Sequence, residues 1–157
     1  MNFKELNDLS ICKNNLTDIK VLEKVKFEKL ENLYLFENKI SDISVLEYVN
    51  FKNLKNLQLY DNNISNINVL EKVKFEKLEN LGLGDNRIED INVFEKVNFK
   101  LLKELHLDGN NISDISVFER TKFYKLEALS LENNKINIEN NIYIINNLSN
   151  ILKQFDY

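Results

Sequence analysis

The sequence lacks proline and tryptophan and contains only one cysteine, one histidine and three glycines among 157 residues. Because Cys12 is the only thiol, an intrachain disulfide is excluded, which suits a reducing compartment. No apolar run approaches the roughly 20 residues that cross a bilayer, and the first residues, MNFKELNDLS, do not form a secretory signal. These absences favour the cytoplasm and predict no membrane insertion. A truncated N-terminus would leave secretion open as an alternative.

A large excess of charge of one sign is also missing. The net charge is −4, whereas general nucleic-acid-binding surfaces are strongly basic, so we expect no nucleic-acid partner. The sequence is 43% hydrophobic and 29% charged, which is an ordinary balance for a soluble protein. Its length predicts a single domain, residues 1–157, with a substantial core.

What the sequence does contain is a repeat with a period of 24 residues. Leucines open the units at positions 6, 30, 54, 78, 102 and 126, and every interval is 24 residues. Each unit follows the pattern L-x-x-L-x-L-x-x-N-x-I with few exchanges, and the pattern occurs six times in register. A segment similar to SDISVLE follows in most units. Such self-similarity indicates a solenoid.

The repeated pattern resembles the leucine-rich-repeat family over nearly the whole chain, and the SDISVLE segment is similar to the internalin-like and phosphatase-regulator-like subclasses. The resemblance implies an α/β solenoid, a curved right-handed arc with six parallel strands on the concave face and short helical or 3-10 turns on the convex face. The alternation in L-x-L suits a strand with one buried face. Because the convex segments are wider than the strand spacing of roughly 4.8 Å, the stack must curve.

One asparagine recurs in every unit at the end of the predicted strand. In the family this residue forms a ladder of side-chain hydrogen bonds to backbone groups that turn inward, and an amide offers the donors and the acceptor for it. An unpaired buried polar group would cost roughly 1–3 kcal/mol. We therefore assign a structural asparagine ladder to Asn14, Asn38, Asn62, Asn86, Asn110 and Asn134.

The second half of each unit predicts the convex side. An Asp or Asn at 18, 42, 66, 90 and 114 is a candidate N-cap, and the spacing of Ile43, Leu46 and Val49 suits a 3-10 or short α segment. Glutamates at 23, 47, 71, 95 and 119 predict a solvated outer face of mixed sign. The phenylalanines that close the units predict a buried stack: Phe27, Phe51, Phe75, Phe99 and Phe123.

The two ends of the chain differ from the repeats. Residues 139–155 predict an amphipathic capping helix, because Ile142, Leu148 and Phe155 recur at helical spacing; its Asn-rich polar face argues against a membrane-surface role. The N-terminal MNFKE is either a minimal cap, or the chain is a fragment of a longer array. The first strand, near Ser10, is an exposed sheet edge, which predicts a weak dimer.

The variable strand positions predict the binding surface, since alternation places the third, fifth and seventh residue of each unit on the concave face. Exposed phenylalanine and tyrosine are typical of interfaces, and two neighbouring glycines either leave room for a bulky group or are merely tolerated. Acidic residues surround this region. The predicted binding residues are Tyr34, Phe36, Gln58, Tyr60, Gly82, Gly84, Glu104, His106 and Asp108.

The sequence predicts no catalytic residue, no cofactor and no metal site. A zinc site needs three or four ligands held close together, but His106 is the only histidine and Cys12 lies four units away. Asp108 shares a strand with His106, yet we expect no serine on an adjacent strand, so a Ser–His–Asp arrangement is not predicted. His106 is interpreted as an interface residue.

These observations predict a protein–protein interaction module rather than an enzyme. The partner protein would present an apolar or aromatic group with basic residues nearby to the concave face. Two alternatives stay open. One is an extracellular or secreted internalin-like adhesin or effector, and the other is a scaffold fragment of a larger multidomain protein.

Overall fold

Seven short parallel strands form one open sheet in sequence order in the computed structural model, which describes residues 3–157. Residues 1 and 2 of the predicted MNFKE cap therefore lie outside the described residues. Each strand has three residues. The strands are β1 (Asp8–Ser10), β2 (Asn32–Tyr34), β3 (Asn56–Gln58), β4 (Asn80–Gly82), β5 (Glu104–His106), β6 (Ala128–Ser130) and β7 (Gln154–Asp156).

The register of the sheet repeats the sequence period. Leu33 of β2 lies beside Leu57 of β3, and Leu57 lies beside Leu81 of β4. All three side chains are fully buried, because the middle residue of each strand points into the core while its two neighbours point to the concave face. The predicted leucine-rich-repeat solenoid is therefore confirmed.

The convex side consists of 3-10 turns that bury one or two apolar residues each. The turns span Lys20–Lys24, Ser44–Glu47, Asn68–Glu71, Asn92–Glu95 and Ser116–Glu119. The Asp or Asn predicted as N-cap lies one residue before the N-cap position, which is an isoleucine in every turn. Its side chain accepts a hydrogen bond from the backbone N–H two residues later, as in Asp42 with Ser44 at 2.8 Å.

Phenylalanines line the core beneath these turns. Phe51 and Phe75 are both 2% exposed and stack with their ring centroids 6.2 Å apart. Phe3 stacks on Phe27 at 6.0 Å, so it occupies the position of a closing phenylalanine at the N-terminal end of the row. Together with the leucines, this row forms one continuous core along the solenoid.

The C-terminal end differs from the prediction in two ways. The helix α1 spans Ile138–Ile151, so it ends four residues earlier than the predicted 155, and the remaining residues form β7. The predicted count of six strands is therefore one too low. The reason is that Phe155 pairs with Leu129 of β6 in strand register, whereas a longer helix would have left the β6 edge unpaired.

Helix α1 begins at a regular cap, because Asn137 accepts a hydrogen bond from the backbone N–H of Asn140 at 3.0 Å. Its residues Ile145 and Leu148 are buried, and the helix packs against the turn Ser116–Glu119 and against β7. Among residues 3–157, this helix and the shorter turns are not long and apolar enough to cross a membrane.

Candidate functional site

Asparagine side chains fix the backbone at the end of the strands. The side-chain Nδ2 of Asn86 donates to the carbonyl oxygens of Leu59, Leu83 and Gly84 at 2.9–3.1 Å, and its Oδ1 accepts from the backbone N–H of Ile64 at 2.9 Å. The same pattern of three donated bonds and one accepted bond occurs at Asn38, Asn62, Asn110 and Asn134.

Asn14 differs from these five asparagines. It is exposed, and its Nδ2 donates only to the carbonyl oxygen of Cys12, at 2.7 Å. Each of the other five asparagines also donates to a carbonyl oxygen of the preceding repeat. No repeat precedes Asn14 among residues 3–157, so Asn14 has no such acceptor there. The ladder therefore holds the strand ends of the later repeats more firmly than the end of β1.

The residue before each asparagine turns the chain with a positive φ. Asp61 and Asp85 have φ of 52° and 48°, and Gly109 has φ of 63°. This left-handed turn lets a residue with an outward side chain be followed by an inward-pointing asparagine. A Cβ at Gly109 would lie 2.2 Å from Oδ1 of Asp85, so a larger residue there would have to displace the Asp85 side chain.

Two of the three predicted aromatic residues stack on the concave face. The rings of Phe36 and Tyr60 lie 4.4 Å apart and nearly parallel, with an interplanar angle of 9°. Tyr34 does not join the stack: its register partner is Gln58, and its hydroxyl lies 3.5 Å from Nδ2 of Asn56. Burial, with a smaller contribution from nearby carboxylates, raises the pKa of Tyr60 above its ordinary value.

A recess of about 290 Å³ lies beside this stack, where two glycines contribute no side chains. Its edges are formed by neighbouring side chains that lean in. If Gly82 carried a Cβ, that atom would lie only 1.8 Å from Oε1 of Gln58. A Cβ on Gly84 would lie 3.0 Å from both carboxylate oxygens of Asp108. The lining residues are Gln58, Tyr60, Gly82, Gly84, Asp85, His106 and Asp108.

Among residues 3–157, the polar groups around His106 at the edge of the recess do not form a catalytic arrangement. Nε2 of His106 lies 3.7 Å from Oε2 of Glu104, which is longer than a hydrogen bond. The expectation that no serine lies beside His106 was wrong, because the strand register places Ser130 directly next to it. No hydrogen bond joins Ser130 to His106 among the described residues, whereas an activated serine needs one.

The same part of the chain, residues 3–157, contains no group of three or more His, Cys, Asp or Glu side chains arranged to hold a metal ion. The thiol of Cys12 lies 3.2 Å from the Ser10 hydroxyl and continues the row of Phe36 and Tyr60 toward the N-terminus.

The structure adds concave-face residues that sequence reasoning missed. Gln154 and Asp156 of β7 lie beside Ala128 and Ser130 of β6, and the Gln154 side chain donates to Asp156 at 2.9 Å. A signal was present, because the last residues, L-K-Q-F-D-Y, repeat the spacing L-x-x-L-x-L with aromatic residues in place of leucines. Helical periodicity over the same residues masked it.

Comparisons with known proteins agree with this geometry. The family model described as Leucine Rich Repeat matches residues 101–120. An internalin, InlF, from Listeria monocytogenes superposes with a TM-score of 0.73 and 27% sequence identity over 98% of this chain and 48% of its own. Internalin C2 from the same organism superposes with a TM-score of 0.54 and 22% identity over 82% of this chain and 72% of its own. No curated protein matches the sequence.

The repeats, the sheet and these neighbours define a class of protein, the leucine-rich-repeat solenoids, which in general serve as protein–protein interaction modules and are typically not enzymes. Within that class, the chain is similar to the internalins, as the superposition with InlF shows. It spans about half the length of InlF.

Proposed function

We propose that this chain binds a protein partner on its concave face through the aromatic stack of Phe36 and Tyr60, with acidic residues around the contact. The carrying observation is the stack itself. Two aromatic rings at 4.4 Å lie outside the core, two positions after the ends of β2 and β3, where side chains are not needed for repeat stacking. Rigid aromatic side chains in such a position supply contact area at a low entropic cost.

Neighbouring groups support a partner with basic as well as apolar groups. Asp61, Asp85 and Asp108 follow the strands beside the stack and form no ion pair within residues 3–157. A partner that presents cations there would gain electrostatic complementarity, which mainly increases the association rate and the specificity.

The proposed contact is tested by capture of the partner from cells that make this protein. The chain and the variant Tyr34→Ala/Phe36→Ala/Tyr60→Ala are immobilised, and the captured proteins are compared quantitatively. We expect one protein to be captured by the native chain and reduced at least about tenfold by the variant, because truncated aromatic anchors commonly cost 2 kcal/mol or more.

A matched control removes three aromatic rings elsewhere. Tyr48, Tyr124 and Tyr143 lie outside the strands and are 64%, 81% and 68% exposed, so their triple alanine variant loses the same number of tyrosine-sized rings from other faces. Retained capture by the strand variant, or equal loss in both variants, would contradict binding on the concave face. Urea unfolding of both variants establishes that they are folded.

Two alternatives differ in where this surface acts: in a scaffold it is part of a larger multidomain protein, and in an adhesin or effector it is outside the cell. An intact gene sequence separates them, since a signal or an anchor would favour the adhesin and a further domain would favour the scaffold. Both keep the concave face as the binding surface.

We also propose that the β1 edge forms a weak dimer. β1 pairs only with β2 among the described strands, and Leu6 and Leu9 remain half-buried, whereas the corresponding leucines of the second to fifth repeats are completely buried. Unpaired strand edges favour pairing with another chain. Size-exclusion chromatography with light scattering tests this, and a molar mass that stays monomeric as concentration rises would rule it out.

A further inference from the structure

One row of the concave face has an open position between an aromatic ring and a carboxylate. The row contains the residues that follow neighbouring strands by two positions: Phe36, Tyr60, Gly84 and Asp108. Backbone hydrogen bonds keep it in register, from Asp61 N–H to the Gly84 carbonyl at 3.0 Å and from Asp85 N–H to the Asp108 carbonyl at 2.8 Å.

Tyr60 presents one uncovered ring face toward this open position. Its other face is stacked on Phe36, and the next residue in the row is Gly84, which has no side chain. Neighbouring strands lie about 4.8 Å apart, so the backbone at Asp108 lies two strand spacings from the backbone at Tyr60, with Gly84 between them. The Asp108 carboxylate leans back over Gly84. An inserted group would therefore have an aromatic face on one side and a negative charge on the other.

A neutral acceptor completes the recess. Gln58 uses its Nε2 to donate to Oδ1 of Asn56 at 2.6 Å, and its Oε1 lies over Gly82. Among residues 3–157, no side chain or backbone N–H donates to this Oε1 or to the carboxylates of Asp85 and Asp108. The recess therefore offers three acceptor groups that no described donor occupies, beside the Tyr60 hydroxyl, the second Nε2 hydrogen of Gln58 and the imidazole of His106 as its donors.

Carboxylates on the flank of the solenoid behave differently. Glu79 pairs with Lys103 at 2.6 Å, and Glu127 pairs with Lys153 at 2.9 Å, so their charge is compensated inside the chain. No lysine or arginine of the described chain, residues 3–157, lines the recess. Its negative charge thus remains for a cation from outside, which gives the site charge complementarity to a basic group.

We propose that this recess binds an arginine side chain of the partner, with its guanidinium stacked on the open face of Tyr60 and paired with Asp108. This inference rests on the proposed function of the concave face. Guanidinium is planar, stacks on aromatic rings and donates in a fork that fits a carboxylate. An ammonium group is a strongly hydrated point charge and gains less from the ring and from the Gln58 oxygen.

The test uses isotope-labelled full chain and small probes followed by two-dimensional NMR. N-acetyl-arginine amide is expected to shift the amide signals of Gly82, Gly84 and Asp85 with saturation. N-acetyl-citrulline amide has a similar shape without charge, and N-acetyl-lysine amide has charge without the planar fork. Both are expected to bind at least about threefold more weakly.

Two variants and a control locate the binding. Asp108→Asn preserves size and removes the charge, and Tyr60→Leu removes the ring; each is expected to weaken arginine binding at least about fivefold. Glu132→Gln removes the next carboxylate in the same row, outside the recess, and is expected to leave binding within about twofold. Unchanged chemical-shift dispersion shows that each variant is folded.

The inference is overturned if arginine amide gives no saturable shift, if the three probes bind equally, or if Asp108→Asn binds like the native chain. The readout is independent of partner capture. If arginine amide does not bind the native chain but the aromatic variant still loses capture of the partner, the arginine site is rejected and the concave interface is kept.

Discussion

The first repeat and the central repeats carry the same sequence pattern but have different environments. Leu105 in β5 is fully buried, whereas Leu9 at the same position in β1 is only half-buried. Asn86 makes four side-chain hydrogen bonds, whereas Asn14 makes one. The asparagine therefore makes its full set of hydrogen bonds only when another repeat precedes it, as expected for a stack of nearest-neighbour contacts.

The C-terminal end shows how a missing neighbour is replaced. Leu129 in β6 is 1% exposed although no further full repeat follows in the described chain, because Phe155 of β7 lies beside it and α1 packs against β7. The backbone N–H of Leu131 donates to the carbonyl of Asp156 at 2.6 Å, so β7 continues the sheet. One helix and three residues of strand thus give Leu129 and Leu131 the burial that Leu9 and Ile11 in the first repeat lack.

The largest effect that tests this comparison is expected from leucine truncation. Leu105→Ala should lower the free energy of unfolding by about 3 kcal/mol, since it opens a cavity in a fully packed core. Leu9→Ala removes the same atoms from a half-buried site and should cost about 1 kcal/mol or less. Urea unfolding followed by circular dichroism measures both.

The pair of variants also tests cooperativity along the stack. Equal losses would mean that the first strand is as well covered in solution as the central ones, for example by a second chain at the β1 edge. Repeating the measurement over a range of protein concentrations separates that outcome, because only an associated species changes its stability with concentration.

A smaller effect is expected from the asparagine ladder. Asn86→Ala leaves three carbonyls and the N–H of Ile64 without their side-chain partner in the interior, and we expect a loss of about 2 kcal/mol. Asn14→Ala removes one exposed bond and should change stability by about 0.5 kcal/mol or less. Urea unfolding again measures the difference, and similar losses in both variants would refute the dependence on neighbours.

The repeats were predictable from the sequence because the same pattern of leucines and asparagine occurs six times at a fixed spacing. A strand of only three residues, such as Asn80–Gly82, would be weak evidence alone, but its register follows from the fixed 24-residue period. β7 escaped prediction because residues 152–157 occur once, and their apolar spacing fits a helix until pairing with β6 decides in favour of a strand. Long-range pairing overrode the local pattern there.

The candidate site was only partly accessible to the same reasoning. Alternation identified which side chains lie outside the core, and the period placed Phe36 beside Tyr60. The shape of the recess depends on rotamers, namely Gln58 leaning over Gly82 and Asp108 leaning over Gly84, and no periodicity specifies a rotamer. Ser130 could have been predicted as the neighbour of His106, because the 24-residue period places it at the same position in the next repeat.

The smallest effect concerns a position at which the central repeats differ from one another. Hydrogen bonds from Ser116 lower the pKa of Asp114 below its ordinary value of 3.8, whereas Asn66 occupies the same position in another repeat and accepts from Asn68 at 2.9 Å without a charge. A lowered folded-state pKa means that Asp114 contributes stability above its unfolded pKa and loses it as the pH falls through the folded value. Because the site is exposed, we expect a contribution of only about 0.3 kcal/mol.

Asp114→Asn places an uncharged asparagine before this turn, as Asn66 already does in the third repeat. The variant should keep the acceptor for the Ser116 N–H but lose part of the decline in stability below about pH 4. Urea midpoints of the two proteins across acidic pH measure the slope. Parallel profiles would show that the carboxylate acts only as a hydrogen-bond acceptor, which would make the charged and uncharged repeats equivalent on the convex side.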